Sequence, residues 1–345
     1  MPENSRLINT QKFAHQLRRR AIDVDRRQIL LSRLSGSGQE VDISAPINCD
    51  GFGRVRHFRF ATGDGWPMNP LPIVPACTSL GIDPIPDVLN AQVFQNSACA
   101  WRCWYCFVPD ELLRADTAYS DWFTAEQLVE MFRAELSRPV VIDLSGGSPD
   151  LVPEWTVWMM EALAAAGLSD STYLWSDDNL STTYLFDHLT DEQLLILQGY
   201  KNYGRVCCFK GFDETSFSFN TRAAPNAYSE QFTIMRRLLD LDIDLYGYVT
   251  LTSPSDRNIG SAVGEFVDRL QSLDENLPLR VIPLQIQLFS PAKQRVVGRP
   301  DRERSLAIQE EAIQAWNGEI VRRFHPDLRT TSVSAIPVGR RGRAR

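Results

Sequence analysis

The chain has 345 residues, of which 43% are hydrophobic and 23% are charged, and its formal net charge at pH 7 is -7. This length and composition allow a sizeable buried core, arranged as one large domain or two ordinary ones. The acidic balance argues against a general nucleic-acid binder, because such proteins carry a basic surface. The sequence shows neither an apolar run long enough to span a bilayer nor the pattern of a signal peptide. We therefore expect a cytoplasmic protein that does not insert into a membrane.

Arginines are concentrated in two short stretches, at residues 18–27 and 340–345. The simplest interpretation is a solvated helix face and a frayed basic tail, and the alternative is a docking arm for an acidic partner.

Residues 1–90 predict a helical and loop extension. Within it, residues 5–34 have the apolar spacing of one or two charged helices, and residues 55–61 are typical of a short strand. Residues 62–88 are rich in glycine and proline, which is typical of loops. We expect the part at 66–75 to act as a lid over the region that follows.

Residues 91–290 alternate between strand-like and helix-like segments. The strand predictions cover residues 93–97, 140–144, 172–175, 204–209, 245–251 and 280–289. Six strands separated by helices predict an α/β fold with a mostly parallel sheet and right-handed crossovers. Chemistry in such folds gathers at the carboxyl ends of the strands. Residues 291–345 predict a C-terminal helix, at 302–323, and the basic tail.

Three cysteines follow the first of these strands with the spacing C-x3-C-x2-C: Cys99, Cys103 and Cys106. Thiolates this close together need a metal to neutralise them. A structural zinc site takes four ligands, whereas a 4Fe–4S cluster on three cysteines leaves one iron open to bind another molecule. The other four cysteines are dispersed: Cys49, Cys77, Cys207 and Cys208. We expect a single cluster in a reducing compartment, with zinc and ordinary buried thiols as alternatives.

The cysteine motif resembles the signature of the radical S-adenosylmethionine (radical SAM) superfamily, C-x3-C-x-aromatic-C, with Tyr105 at the aromatic position. The resemblance covers roughly residues 91–290. It implies a partial (β/α)6 barrel, open on one side, that holds one 4Fe–4S cluster and S-adenosylmethionine. It also implies reductive cleavage of S-adenosylmethionine to a 5′-deoxyadenosyl radical, which abstracts hydrogen from a substrate. An electron donor such as flavodoxin or ferredoxin would supply the electron.

The resemblance extends to the loop after the second strand, where the family has a Gly-Gly-Glu-Pro motif. Here the run is Ser145-Gly146-Gly147-Ser148-Pro149, so Ser148 stands where glutamate is common. The glycines would let the backbone approach the methionine amino group, and the backbone of Tyr105 would meet the adenine. An ordinary strand-to-helix turn is the alternative.

The resemblance implies further cofactor contacts at the ends of later strands. The candidates are Ser176, Asp177 and Asp178 after the third strand, Lys210 after the fourth, and Gln285 and Gln287 on one face of the sixth. Carboxylates accept hydrogen bonds from ribose hydroxyls, and a lysine can meet the cofactor carboxylate. Helix caps, a surface ion pair and a buried polar pair are the respective alternatives.

Candidates for the substrate cavity are fewer. Tyr246, Tyr248 and Thr250 share one face of the fifth strand, and Cys208 can donate a hydrogen atom to a substrate radical. Buried core residues are the alternative. The leading hypothesis is a radical SAM enzyme acting on a metabolite or peptide. The other hypotheses are an activating enzyme that installs a glycyl radical on a partner protein and a non-catalytic iron–sulfur or zinc protein.

Overall fold

The computed structural model describes residues 7–339, and the predicted basic tail at 340–345 lies outside the described residues. The strands are β1 Ile22–Asp23, β2 Gln28–Ser32, β3 Gly53–Arg59, β4 Val88–Phe94, β5 Ser120–Thr124, β6 Val141–Leu144, β7 Tyr173–Asp178, β8 Tyr203–Phe209, β9 Leu245–Thr250 and β10 Val281–Leu284. The α-helices are α1 Thr10–Ala21, α2 Ile73–Leu80, α3 Ala125–Ala134, α4 Glu154–Ala165, α5 Tyr184–His188, α6 Asp191–Gly199, α7 Glu214–Thr221, α8 Ala227–Leu239, α9 Ile259–Leu273, α10 Ser290–Val296, α11 Pro300–Arg323 and α12 Pro326–Thr330.

Seven strands form the main sheet, in the order β10-β9-β8-β7-β6-β4-β3. The first six of these are parallel, and β3 joins the edge of the sheet antiparallel to β4. The sheet curls into a half-barrel, with a hydrophobic core on each of its two faces. The prediction of a mostly parallel α/β sheet is confirmed.

Side-chain alternation decides which residues reach each core. On β7, Leu174 packs outward against the helices, while Tyr173 and Trp175 belong to the core inside the half-barrel. On β9, Tyr246 and Tyr248 face the same inner core. Side chains at the carboxyl ends of β6, β7 and β8 that continue this inward pattern meet above the inner core.

The N-terminal segment differs from its prediction. Residues 28–32 form strand β2, and the expected second helix is wrong, because Leu30 and its neighbours are buried on both sides of a small sheet with β1 and β5. Strand β4 crosses the predicted boundary at residue 90, and β3 lies before it. The prediction that the arginines at 18–27 form a solvated helix face holds only in part. Arg18 is buried and forms an ion pair with Glu154 at the start of α4.

The expected lid is wrong for the second half of its segment. Leu71, Ile73 and Ala76 are fully buried in the inner core, so this stretch and α2 fill the base of the half-barrel. Val333 from the C-terminal segment joins them. These side chains are apolar, and burying them is favourable because an exposed lid would leave them in water. Among the described residues, no helix is long and apolar enough to cross a membrane.

A buried ion pair on the outer face of the sheet gives a test of this fold. The guanidinium of Arg205 donates to Asp178 at 2.6 and 2.9 Å, and both side chains are at most 3% exposed. Asp178→Asn should lower the free energy of unfolding by about 3 kcal/mol, because it leaves a buried cation uncompensated. Urea unfolding measures the change. The control is Asp256→Asn, which removes an exposed ion pair with Arg304 and should leave the free energy of unfolding unchanged. An equal response of the two variants would contradict the structure.

Candidate active site

The three motif cysteines lie in a loop that follows β4, and two arginines hold its backbone. Arg102 donates from Nη1 to the carbonyl oxygens of Cys99 and Trp101, at 2.7 and 2.8 Å. Arg295, from α10, donates to the carbonyl oxygens of Cys106 and Val108, the latter at 2.8 Å. The loop carbonyls are thus satisfied by side chains, which fixes a segment without regular secondary structure.

Two buried tryptophans attach the same loop to the rim of the sheet. Nε1 of Trp101 donates to the carbonyl oxygen of Asn179 at 3.1 Å, just beyond β7. Nε1 of Trp104 donates to Oδ1 of Asn220 at 3.0 Å, at the end of α7. Each indole combines a large apolar contact with one polar anchor. The loop therefore lies across the carboxyl ends of the strands.

The thiols are held in an environment that disfavours their free anions. Burial, together with neighbouring Cys99 and Cys106, raises the pKa of Cys103 to about 12, although Lys210 acts in the opposite direction. Burial and Cys99 also raise the pKa of Cys106. A bound cation would reverse this balance, because it stabilises thiolates directly. Within residues 7–339, no group of three or more His, Cys, Asp or Glu side chains has the geometry to hold a single metal ion.

The two glycines after β6 form a cradle that no other residue could replace without a shift. Gly146 and Gly147 have φ of 87° and 69°, in the left-handed region. A Cβ on Gly147 would lie 2.3 Å from the carbonyl oxygen of Asn96 and 2.7 Å from that of Ala98. The amide of Gln95 lies against Gly146, is buried, and has no hydrogen-bond partner among the described residues. Glycine is required here by both conformation and space.

Ser148, the departure from the family motif, connects this cradle to the cysteine loop. Its hydroxyl lies 3.2 Å from Sγ of Cys99 and accepts a hydrogen bond from Nδ2 of Asn179 at 3.0 Å. Its backbone nitrogen donates to the carbonyl oxygen of Ala98 at 2.6 Å. The serine at this position thus links a candidate cluster ligand to the glycine cradle and to Asn179.

Carboxyl groups lie on the inner face directly beneath the glycine cradle. Asp177 accepts a hydrogen bond from Ser145 at 2.6 Å, and Asp143 pairs with Arg56 from β3 at 3.3 Å. Burial and the charge of Asp177 raise the pKa of Asp143 to about 7, although Arg56 opposes the shift. Burial also raises the pKa of Asp177. One carboxyl of this pair can therefore hold a proton near neutral pH.

Lys210 and Tyr105 lie on the opposite side of the same space. The hydroxyl of Tyr105 is 3.0 Å from Oγ1 of Thr250, at the end of β9. Burial lowers the pKa of Lys210, but Cys208, Tyr105 and Cys103 raise it by more in any state in which they are anionic, so the overall shift is upward. Lys210 thus carries a positive charge beside the cysteine loop.

Several predicted site residues are not brought to this place. Ser176 and Asp178 lie on the outer face of β7, where Ser176 meets the hydroxyl of Tyr203 at 2.8 Å and Asp178 pairs with Arg205. The expectation that both lie beside Asp177 is corrected, because strand alternation turns them to the opposite face of the sheet. Tyr246 faces inward but at the base, where its hydroxyl donates to Asp244 at 2.6 Å.

The prediction for Gln285 and Gln287 is also wrong in its placement. Strand β10 ends at Leu284, so both glutamines lie in the loop beyond it, and Gln287 is exposed. A buried pair on a barrel wall is therefore not present. Cys208 and Tyr248 do face the inner core, and the hydroxyl of Tyr248 donates to the carbonyl oxygen of Leu71 at 3.3 Å.

Sequence analysis missed three residues of the site: Gln95, Arg56 and Asn179. Gln95 and Asn179 each follow a strand of the sheet, and polar residues at that position were a usable signal. Arg56 carried no such signal, because β3 was assigned to the extension and its pairing with β4 is not visible in the sequence.

The glycine cradle predicts a large difference between two glycine substitutions. Gly147→Ala should lower the free energy of unfolding by about 3 kcal/mol or more, because it adds a clash with backbone to an unfavourable φ. Gly167→Ala is the control, since Gly167 has a φ of 70° but nothing within 4 Å of its added Cβ. It should cost about 1 kcal/mol. Urea unfolding compares the two, and equal losses would show that the close approach at Gly147 is not present.

The raised pKa of Asp143 predicts the pH dependence of stability. Between pH 3.8, the ordinary pKa of an aspartate side chain, and about 7, the folded state keeps a proton on this carboxyl that the unfolded state has lost. Stability should therefore fall as pH rises through this window. Asp143→Asn removes the dependence and should gain about 4 kcal/mol in free energy of unfolding relative to the native chain between pH 4 and pH 8. Urea unfolding of the native chain and of the variant at pH 4 and pH 8 measures the change. The control is Asp170→Asn, which alters an exposed carboxyl and should leave the pH dependence unchanged. A constant difference for Asp143→Asn would contradict the assignment.

Comparison with known proteins gives a limited result. No protein-family model and no curated protein sequence matches the chain. Among solved structures, Streptococcus suis SuiB bound to precursor peptide SuiA is similar, with a TM-score of 0.36 and 15% identity over 51% of this chain and 36% of that one. SuiB bound to S-adenosylmethionine has a TM-score of 0.35 and 14% identity over 51% of this chain and 37% of that one. The match thus spans little more than a third of the length of these SuiB chains.

Proposed function

We propose that this protein is a radical SAM enzyme, in which Cys99, Cys103 and Cys106 hold one 4Fe–4S cluster beside a site for S-adenosylmethionine. The observation that carries the proposal is the contact between the C-x3-C-x-aromatic-C loop and the glycine cradle, made through Ser148 and Cys99 at 3.2 Å. Two motifs that lie 39 or more residues apart in the chain meet at the carboxyl ends of parallel strands, where such folds do chemistry.

The residues at this place fit an iron–sulfur cluster. Three thiols from one loop provide soft ligands, which iron–sulfur clusters prefer. Ser148 provides a hydroxyl donor to the sulfur of Cys99, and hydrogen bonds to cluster sulfurs are a means of tuning reduction potential. The aromatic rings of Trp101 and Trp104, in the same loop as the cysteines, are buried and provide apolar surroundings for part of it.

The surrounding residues also fit S-adenosylmethionine. The glycine cradle opens the backbone for close contact, and the amide of Gln95 offers a buried donor and acceptor without a protein partner. Asp177 can accept hydrogen bonds from an amino or hydroxyl group. Lys210 supplies the positive charge that a carboxylate requires.

When bound, the cluster and S-adenosylmethionine supply a one-electron cleavage that yields a hydrogen-abstracting 5′-deoxyadenosyl radical. The chain's own residues orient the reactants and exclude water. Asp143, with a pKa near 7, can hold or release a proton on the inner face. Cys208 and Tyr248 are the inward-facing candidates for hydrogen transfer to a substrate radical. A metabolite or peptide is the proposed substrate class, with flavodoxin or ferredoxin as the electron donor.

The test begins with anaerobic purification and measurement of iron, sulfide and the visible spectrum. The native chain should contain about four irons and, after reduction, should form 5′-deoxyadenosine from S-adenosylmethionine. Cys103→Ala should lose both the cluster and the product, because it removes one of three ligands. Cys77→Ala is the matched control: Cys77 is fully buried in α2, within the inner core, and its loss should leave iron content and product unchanged.

Two outcomes would contradict the proposal. A Cys103→Ala variant that keeps its iron and still forms 5′-deoxyadenosine would show that the motif does not hold the cluster. A native chain that binds zinc without iron, or that carries a cluster but never cleaves S-adenosylmethionine, would instead indicate the non-catalytic alternative.

A further inference from the structure

A cavity of about 440 Å³, outside the candidate active site described above, runs along β3, the edge strand of the sheet. Its volume lies within the range of small-molecule sites. The residues relevant to its chemistry are Gln39, Arg54, Arg56, Arg59, Phe107 and Phe289. The cavity is thus lined by cations and aromatic rings rather than by an apolar surface alone.

Arg54 is a buried cation without a direct ion pair among the described residues. It is 8% exposed, no described carboxylate lies within 4.0 Å of it, and its side chain donates no hydrogen bond within the described part of the chain. Burial and the charge of Arg56 lower its pKa to about 10, although the more distant carboxyl groups of Asp143 and Asp177 act in the opposite direction, so it remains positive at neutral pH. Its guanidinium lies 5.2 Å from the ring centre of Phe107, a contact that leaves its N–H groups unused. A buried charge of this kind is costly unless an anion pairs with it.

Gln39 provides a second, independent sign of a missing ligand. The residue is 1% exposed, and neither atom of its side-chain amide has a hydrogen-bond partner among residues 7–339. It comes from a loop before β3, whereas Arg54 lies on the strand itself. Two unsatisfied polar groups from different segments therefore face one cavity, where a single polar ligand can satisfy both.

The charges around the cavity favour an anion over a cation. Asp42 is the acidic residue in its lining, and it is already used, since it accepts hydrogen bonds from the nitrogen and hydroxyl of Ser290 at 2.8 and 3.0 Å. Arg56 is balanced by Asp143 at 3.3 Å. Arg54 and Arg59 have no ion pair among the described residues, so the lining has an excess of positive charge.

The cavity adjoins the candidate active site. Phe107 follows the cluster candidate Cys106 directly in sequence, and Arg56 reaches from the cavity to Asp143 on the inner face. The rings of Phe107 and Phe289 meet edge to face with centres 6.1 Å apart. A ligand bound to Arg54 can therefore place an apolar portion against these rings while lying beside the cysteine loop.

We propose that this cavity binds the substrate, and that the substrate carries a carboxylate or phosphate group that pairs with Arg54 and an apolar portion that contacts Phe107 and Phe289. The identification of the ligand as the substrate rests on the proposed function, whereas the binding of an anion does not. Gln39 completes the site with one donor and one acceptor.

The test is calorimetric titration of the anaerobically purified chain with phenyl phosphate, phenylacetate and the neutral analogue phenylacetamide. The anionic probes should bind at least tenfold more tightly than phenylacetamide, and the tighter of the two identifies the anion. Arg54→Gln should lower the affinity for the preferred anionic probe at least tenfold, because it removes the buried cation that has no direct ion pair among the described residues of the lining. Arg20→Gln, an exposed arginine on α1, makes the same change in net charge and should alter affinity less than twofold.

A second variant guards against misfolding of Arg54→Gln. Phe289 is 43% exposed, so Phe289→Ala should fold normally. This variant should lower the affinity for phenyl phosphate about threefold or more. It should leave the weaker affinity for inorganic phosphate unchanged, because that probe has no ring to contact Phe289. Unchanged affinity for phenyl phosphate would overturn the assignment of the apolar portion.

Other results would overturn the proposal as a whole: equal affinity for the neutral probe, no heat of binding, or full affinity in Arg54→Gln. Loss of L-methionine binding in Arg54→Gln, with phenyl phosphate unaffected, would assign Arg54 to the cofactor instead. Because binding is measured without turnover, failure to form 5′-deoxyadenosine would contradict the proposed function alone and leave the anion site standing.

Discussion

The close backbone contact between the loop after β6 and the loop after β4 is the constraint on which the candidate site depends. The nitrogen of Ser148 reaches the carbonyl oxygen of Ala98 at 2.6 Å, and Nδ2 of Asn96 returns a hydrogen bond to the carbonyl oxygen of Ser148 at 2.9 Å. Because β4 and β6 are neighbouring parallel strands, their loops leave the sheet side by side at the same edge. The rigidity of the sheet therefore passes to the cysteines, and a site on such support is held more precisely than one on a free loop.

The inner face of the half-barrel carries more polar groups than its packing requires. Asp143 has one carboxylate oxygen without a described partner, and the side-chain amide of Gln95 and Nε of Arg54 are similarly unsatisfied. Each such group costs stability unless a ligand completes it. The arginines come from β3, ahead of the parallel strands, while the carboxyl groups come from β6 and β7. The N-terminal segment thus supplies the positive charge that balances the acids of the sheet, in addition to its structural role.

The parallel sheet and the cysteine motif could be predicted from sequence, because buried strands alternate with amphipathic helices and the thiol spacing is distinctive. Side chains alternate between the two faces of a strand, so the sequence predicted that Asp177 lies on the opposite face of β7 from Ser176 and Asp178. Nothing in the sequence indicated which of the two faces was the inner one. The end of β10 could not be predicted, since residues 285–289 continue an apolar alternation without forming strand pairs. The role proposed for Arg54 could not be predicted either, because it depends on tertiary contacts with Gln39 and Phe107 that no sequence pattern indicates.

The filling of the base by α2 turns the half-barrel into a chamber with a blind end. Leu71, Ile73 and Cys77 close it from within, and Val333 seals it from the C-terminal side. Under the proposed function, the cofactor and the substrate would therefore both have to be accommodated on the side of the chamber away from this apolar floor.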